Sequence, residues 1–443
     1  MGKHLCLFFF LYLLFGCKKK DDTGTLSDDA PLFNTIAVTT YGGSKNDAGH
    51  SVTKTADGGF MVGGYTQSMD GDISEKNHED FDFWLLKFNA AGDLQWNTTL
   101  GTSFNEKSAD IIETSELGYV VVGSFDEKDQ HQTRDDFWAV KVDASATLEW
   151  EKAFGYEGLD TATALLQTND GGYLLAGVLD VTASEGAGNT TAKKRLRRHA
   201  GGDYWLIKIN AEGSLQWSQY YGGSFTDTPA DIVETADGGF LLVGTSDSND
   251  VDISANKGSY DIWLVKTSST GVLEWEKSYG GSQLDQASAI AKTADGNFII
   301  VGDTRSDDGD ISHNRGASDL WVLKISPQGT LLWEKTFGGS DFDTGKAVCL
   351  ASDEGFYMAG HSRSSEGDLT LNNGQNDAWI MKINSEGNLM YQKSIGGADI
   401  DFANAIVELE DESLVVVGQT NSDDSDILEN KGFKDLLLIH LKN

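Results

Sequence analysis

Apolar residues along this chain fall in short runs broken by turn residues, not at the 3.6-residue interval of a helix face. One stretch shows the pattern in full. It reads ADIVET, the turn ADGG, FLLVGT, an acidic loop, DIWLVKT, the turn SSTG and VLEWEKSYGG. Runs rich in β-branched and aromatic residues, separated by Asp-Gly and Ser/Thr-Gly turns, are strands joined by hairpins. Each such unit therefore predicts four strands, here labelled A to D.

The unit recurs. Asp82, Asp136, Asp203, Asp261, Asp319, Asp377 and Asp435 each stand two residues before Trp84, Trp138, Trp205, Trp263, Trp321, Trp379 and, in the last copy, Leu437. Their numbers differ by 54, 67, 58, 58, 58 and 58. A period near 58 residues indicates a solenoid, a propeller or an array. The seventh copy ends after its third strand, DLLLIHL, and FNTIAVTTYGGS (33–44) aligns with the fourth strand of the other copies. A ring closed by the first strand protects the two sheet edges that an open array exposes. The expected fold is all-β: a seven-bladed β-propeller over residues 33–443, four antiparallel strands per blade, its last blade completed by the N-terminal strand.

The run YGGSxxDxAxxIxxTxDGGFxVxGxT followed by DxWLxKxxxxGxxxW resembles the SBBP-like β-propeller repeats of bacterial secreted and cell-surface proteins. The turn glycines and the single Trp per copy also loosely resemble kelch blades, with a poorer fit in spacing. The resemblance covers nearly all of the chain beyond the first thirty residues. It implies the fold and an exported protein but no particular activity.

The N-terminus carries an address. MGKHLCLFFFLYLLFGC has a basic start and an apolar stretch from Leu5 to Phe15, too short for a permanent span, and reads as a signal peptide (1–16). Leu14-Phe15-Gly16-Cys17 resembles a bacterial lipobox, which implies that Cys17 is lipidated, palmitate included, and becomes the first mature residue. A plain secretory signal with a chance cysteine is the alternative. Residues 17–32 form a polar tether, and its Lys18–Asp22 tract resembles those of Gram-negative surface lipoproteins. The expected location is the outer membrane, facing the exterior, with the lipid as the sole membrane contact. Cys349 is the only cysteine left for the folded part, so a disulfide framework is excluded.

A net charge of −35 argues against nucleic acid and against adsorption on anionic lipid. The expected state is a monomer with an unidentified protein or glycan ligand. Two acidic sets are patterned. Asp47, Glu106, Asp160, Asp227, Asp285, Asp343 and Asp401 precede the innermost strands. They would form either a carboxylate ring at the channel mouth or, as side chains needed in every blade, the acceptors of their own GGS loops. Asp70 and Asp72, Asp250 and Asp252, Asp308 and Asp310, Glu366 and Asp368, and Asp424 and Asp426 occupy the loop between strands B and C. Alternating hard oxygen ligands suit Ca²⁺, although the twelve-residue EF-hand pattern is absent, and an acidic turn is the other reading. Both sets should lie on one face of the ring, because the D–A and B–C loops share it.

The hairpin acids Asp57, Asp170, Asp237 and Asp295 precede glycine and read as turn residues. Copy three carries an insertion, 183–202, holding Lys193, Lys194, Arg195, Arg197 and Arg198, either a docking finger or a solvated loop. No HExxH, GxSxG or phosphate loop appears, so no catalytic residues are assigned. The function expected is a non-catalytic binding or scaffolding propeller. A polysaccharide-binding lectin or polysaccharide-degrading enzyme with its site on the acidic face is the alternative.

Overall fold

The computed structural model describes residues 34–129, 132–190 and 199–442. The signal segment, Cys17, the tether and the basic cluster 193–198 lie outside them. Every regular element among the described residues is a strand. The strands form seven four-stranded antiparallel sheets, one per repeat. The inner strands are Asp47–Lys54, Asn105–Glu113, Thr161–Gln167, Asp227–Glu234, Asp285–Lys292, Asp343–Leu350 and Asp401–Glu408, which number blades 1 to 7. Each packs on the next, and the seventh packs on the first, so the ring is closed. The strand Asn34–Tyr41 pairs with Asp435–Lys442 as the outer strand of blade 7. Its start, Asn34, faces Lys442, so it enters from the face opposite the D–A and B–C loops.

Blades stack face to face, so both sides of strands B and C are covered and their sequences are continuously apolar. Phe298–Thr304 and Asp319–Ile325 of blade 5 are buried at every position, whereas the outer strand Leu331–Phe337 is partly exposed. The core is correspondingly divided into seven clusters, one at each blade junction. Each strand-C Trp lies in the cluster shared with the preceding blade: Trp263 packs against Leu174 and Tyr204 of blade 3, and Trp321 joins the cluster holding Leu241 and Ile262 of blade 4. Leu437 takes the equivalent place in blade 7. Burying such a ring removes on the order of 150–250 Å² of aromatic surface from water.

Candidate functional site: the central channel

Every inner strand carries one β-bulge, and it falls at the same repeat position in each blade. The extra residues are His50, Ala109, Thr163, Ala230, Ser288, Lys346 and Asn404. The residue of strand B just before each bulge is glycine: Gly64, Gly123, Gly177, Gly244, Gly302, Gly360 or Gly418. A Cβ at Gly302 would meet the Gln286 carbonyl at 1.8 Å, and one at Gly418 would meet the Phe402 carbonyl at 1.8 Å. The missing side chain lets the inner strand press down and throw one residue out of the ladder, which re-aims that side chain. All seven bulge residues are half-buried. All seven line one central cavity of about 620 Å³. Tyr260 and Leu284, from the B–C and D–A loops, also line it, which places its mouth on the acidic-loop face.

The ring breaks the sevenfold repeat. Blades 6, 7 and 1 present Lys346, Asn404 and His50, while blades 2 to 5 present Ala109, Thr163, Ala230 and Ser288. Long polar side chains therefore occupy one arc and short ones the other. The Asn404 side-chain amide donates to the Gly49 carbonyl at 2.8 Å. His50 Nδ1 donates to the Ser108 carbonyl at 2.9 Å, and its ring meets Tyr65 edge-on at 5.1 Å. Burial lowers the His50 pKa; the Ser108 bond opposes this, and Lys434 and Lys107 add to the lowering. Lys346 forms no hydrogen bond or ion pair with the described residues. Beside it, His361 lies against Phe402 with centroids 4.1 Å apart and the rings tilted by 30°, and burial, with Lys346 second, pulls its pKa down to about 3.

The rim above is polarised in the same sense. One residue past the strand-B residue that pairs with the Asp of each Asp-x-Trp column stands Asp126, Asp180 or Asp247 in blades 2 to 4 and Arg305 or Arg363 in blades 5 and 6. The Arg305 guanidinium lies 5.5 Å from the centre of the Phe342 ring. Lys107 sits 4.2 Å from the centre of the Phe81 ring, nearer blade 1.

The repeated carboxylates do something else. Asp47, Glu106, Asp160, Asp227, Asp285, Asp343 and Asp401 are fully buried, and none lines the cavity. Asp285 shows the arrangement: one oxygen accepts from Gly281 N–H at 2.7 Å and Ser306 Oγ at 2.8 Å, the other from Thr304 Oγ1. Asp47, Asp343 and Asp401 repeat it, with Gly43, Gly339 and Gly397 as amide donors. Asp227 accepts from Gly223 N–H and Ser248 Oγ. Asp160 accepts from the Tyr156 and Asp180 amides, and Glu106 from the Thr102 amide and hydroxyl.

In the B–C loops the first acid of each pair, Asp70, Asp250, Asp308, Glu366 or Asp424, accepts from an amide of the neighbouring GGS-type loop. The second, Asp72, Asp252, Asp310, Asp368 or Asp426, accepts from that loop's first glycine. It also faces a donor from the preceding blade: Lys431 for Asp72, Lys257 for Asp310, Arg315 for Asp368 and Asn373 for Asp426. A protein cation faces the second acid in three of these five loops and competes there with any metal ion. Among the described residues no group of three or more His, Cys, Asp or Glu side chains is arranged to hold a metal ion. In blade 3 His199, from the insertion, stands in that place. It is buried, with Nδ1 2.6 Å from Asp203 and Nε2 4.0 Å from Asp252.

Sequence reasoning missed two columns. The bulge ring is one. The other is a set of buried lysines, Lys87, Lys208, Lys266 and Lys324, which reach the hairpin acids Asp57, Asp170, Asp237 and Asp295. The glycine in each strand B was the available sign of the first column, and the regular Lys three residues after Trp was the sign of the second.

No protein-family model matches the chain. It is 26% identical over 208 residues to the regulatory protein FlaEY of Caulobacter vibrioides, a match covering 44% of this chain and 21% of that protein. The matched part is thus about a fifth of that relative's length. Among solved structures, a puromycin hydrolase mutant gives a TM-score of 0.50 at 10% identity, over 86% of this chain and 53% of that one. The Pan2 WD40 domain of Neurospora crassa gives 0.48 at 9% identity, over 93% and 96%. At these identities the likeness is one of fold alone.

Proposed function

We propose that this chain is a lipid-anchored, non-catalytic binding propeller of the bacterial outer surface, with its ligand site in the central channel. One observation carries the site: the carboxylates that recur in the D–A and B–C loops accept hydrogen bonds within the scaffold and none lines the cavity, while the cavity is lined by a ring that breaks the repeat. A single ligand needs such asymmetry, because seven identical positions offer no unique orientation. Neither histidine beside the channel hydrogen-bonds a hydroxyl, thiol or carboxylate, which favours binding over acid–base chemistry. The signal-like start and Cys17 support the anchor. The N-terminal strand enters opposite the channel mouth, which would leave that mouth turned away from the membrane.

Two measurements test this. Labelled palmitate should enter the wild-type chain and not Cys17→Ser, which should leave the membrane fraction. Purified protein incubated with extracts of the producing cells should retain a small compound, identified by mass spectrometry, that Ala230→Trp, a plug in the channel, no longer holds. Retention untouched by the plug would move the site elsewhere.

A further inference from the structure

Resting on the channel reading above, we infer that the occupant is a small hydroxylated carboxylate of the sugar-acid class, its carboxylate seated on Lys346 and its hydroxyls on His50 and Asn404.

The charge of the cavity points to an anion. The chain has 69 acidic residues and 34 basic ones, yet none of the residues lining the cavity is an Asp or Glu. Lys346 is there, half-buried and, among the described residues, without a counter-ion within 4.0 Å. Asp303 is near enough to be felt electrostatically, but it is buried and accepts from Ser318 Oγ at 3.2 Å. A partly desolvated ammonium with no hydrogen bond to the described residues gains most from an oxyanion that replaces its lost water. The charge of −35 does not cancel this, because fields beyond roughly 8 Å are screened at physiological salt. On the rim, Arg305 and Arg363 stand on the Lys346 side and Asp126, Asp180 and Asp247 stand across from them. An entering anion is therefore steered to blades 5 and 6.

The neighbouring groups call for hydroxyls. A carbonyl only accepts, so His50 Nδ1 carries the proton in its bond to Ser108. Desolvation keeps the ring neutral, which leaves Nε2 as an acceptor. Asn404 spends an N–H on Gly49, and its side-chain oxygen remains an acceptor. Acceptors beside a lone cation match a ligand that pairs a carboxylate with O–H donors. Ser288, Thr228 and Gln286 add polar contacts on the other side of the cavity. A volume of about 620 Å³ suits a molecule of this size.

The test is calorimetric titration of the full-length protein with glucuronate, glucose and inorganic phosphate. Glucuronate should bind at least about tenfold tighter than glucose, the order expected for a charge-assisted hydrogen bond. Lys346→Met should abolish that preference, and Lys346→Arg, which keeps a cation beside Asp303, should retain it. Arg363→Gln should weaken glucuronate less, and chiefly at low salt. Equal binding of glucose and glucuronate, or no effect of Lys346→Met, would overturn the carboxylate seat. Phosphate binding as tightly as glucuronate would overturn the hydroxylated body. If none of the probes binds, this ligand class is wrong, while the plug experiment still decides whether the channel is a site.

Discussion

The Lys431 ammonium donates to Asp72 at 2.5 Å, joining residues 359 positions apart across the closure of the ring. Lys431 belongs to blade 7 and Asp72 to blade 1, and Asp72 also accepts from Gly42 N–H at 3.0 Å. Lys431 N–H in turn donates to Asp435 at 2.8 Å. Removing the side chain would leave Asp72 facing Asp435 with its cation gone. Lys431→Ala should therefore cost about 1–3 kcal/mol, read as a lowered urea midpoint. Lys257→Ala, at an interior junction, should cost less. That difference measures how far closure depends on this staple.

Buried acids set the pH response. Burial first, then neighbouring carboxylates, raises Asp261, Asp319, Asp377 and Asp435 to about 6. Asp227 is pushed up to about 7 by burial, with Asp203 contributing. A carboxyl with a raised folded pKa binds more protons folded than unfolded between the two values, so stability falls as pH rises through about 4 to 7. Asp57, Asp170 and Asp237 behave oppositely. Hydrogen bonds from their turns and from Lys87, Lys208 and Lys266 hold them near 2 despite opposing desolvation, and their contribution is lost below about pH 4. The melting temperature should peak near pH 4, above its value at pH 7.5. A monotonic rise from pH 5 to 8 would contradict this.

Asp285 gathers three donors in a fully buried site. Asp285→Ala strands Gly281 N–H and two hydroxyls without water. The expected loss is about 2–4 kcal/mol in chemical denaturation, far more than for an exposed acid such as Asp307.

Calcium should matter little. Lys257, Arg315 and Lys431 already sit on Asp310, Asp368 and Asp72. Millimolar CaCl₂ should leave the melting temperature within a degree or so of that in EDTA. A saturable rise would show that the metal displaces these cations.

The number of blades and the four strands in each were legible in the sequence, because they depend on residues close together in the chain; completion of blade 7 by 34–41, which pairs with 435–442, was legible only through the repeat, whose last copy lacks the strand that 33–44 matches. Strand length, turn chemistry and the Asp-x-Trp column are local signals, and their repetition multiplies them. The candidate site was not legible. His50 and Lys346 look like ordinary strand residues until pairing with Gly64 and Gly360 shows which residue the ladder excludes. In the B–C loops the sequence likewise left two readings open, an acidic turn and a metal site. The chain displays the oxygen ligands together, but Lys431 approaches Asp72 only after the ring closes. The sequence by itself thus determined the propeller, since periodicity and turns act over a few residues. Only the tertiary structure decided which polar groups remain available for a ligand, because that depends on partners supplied by neighbouring strands and blades.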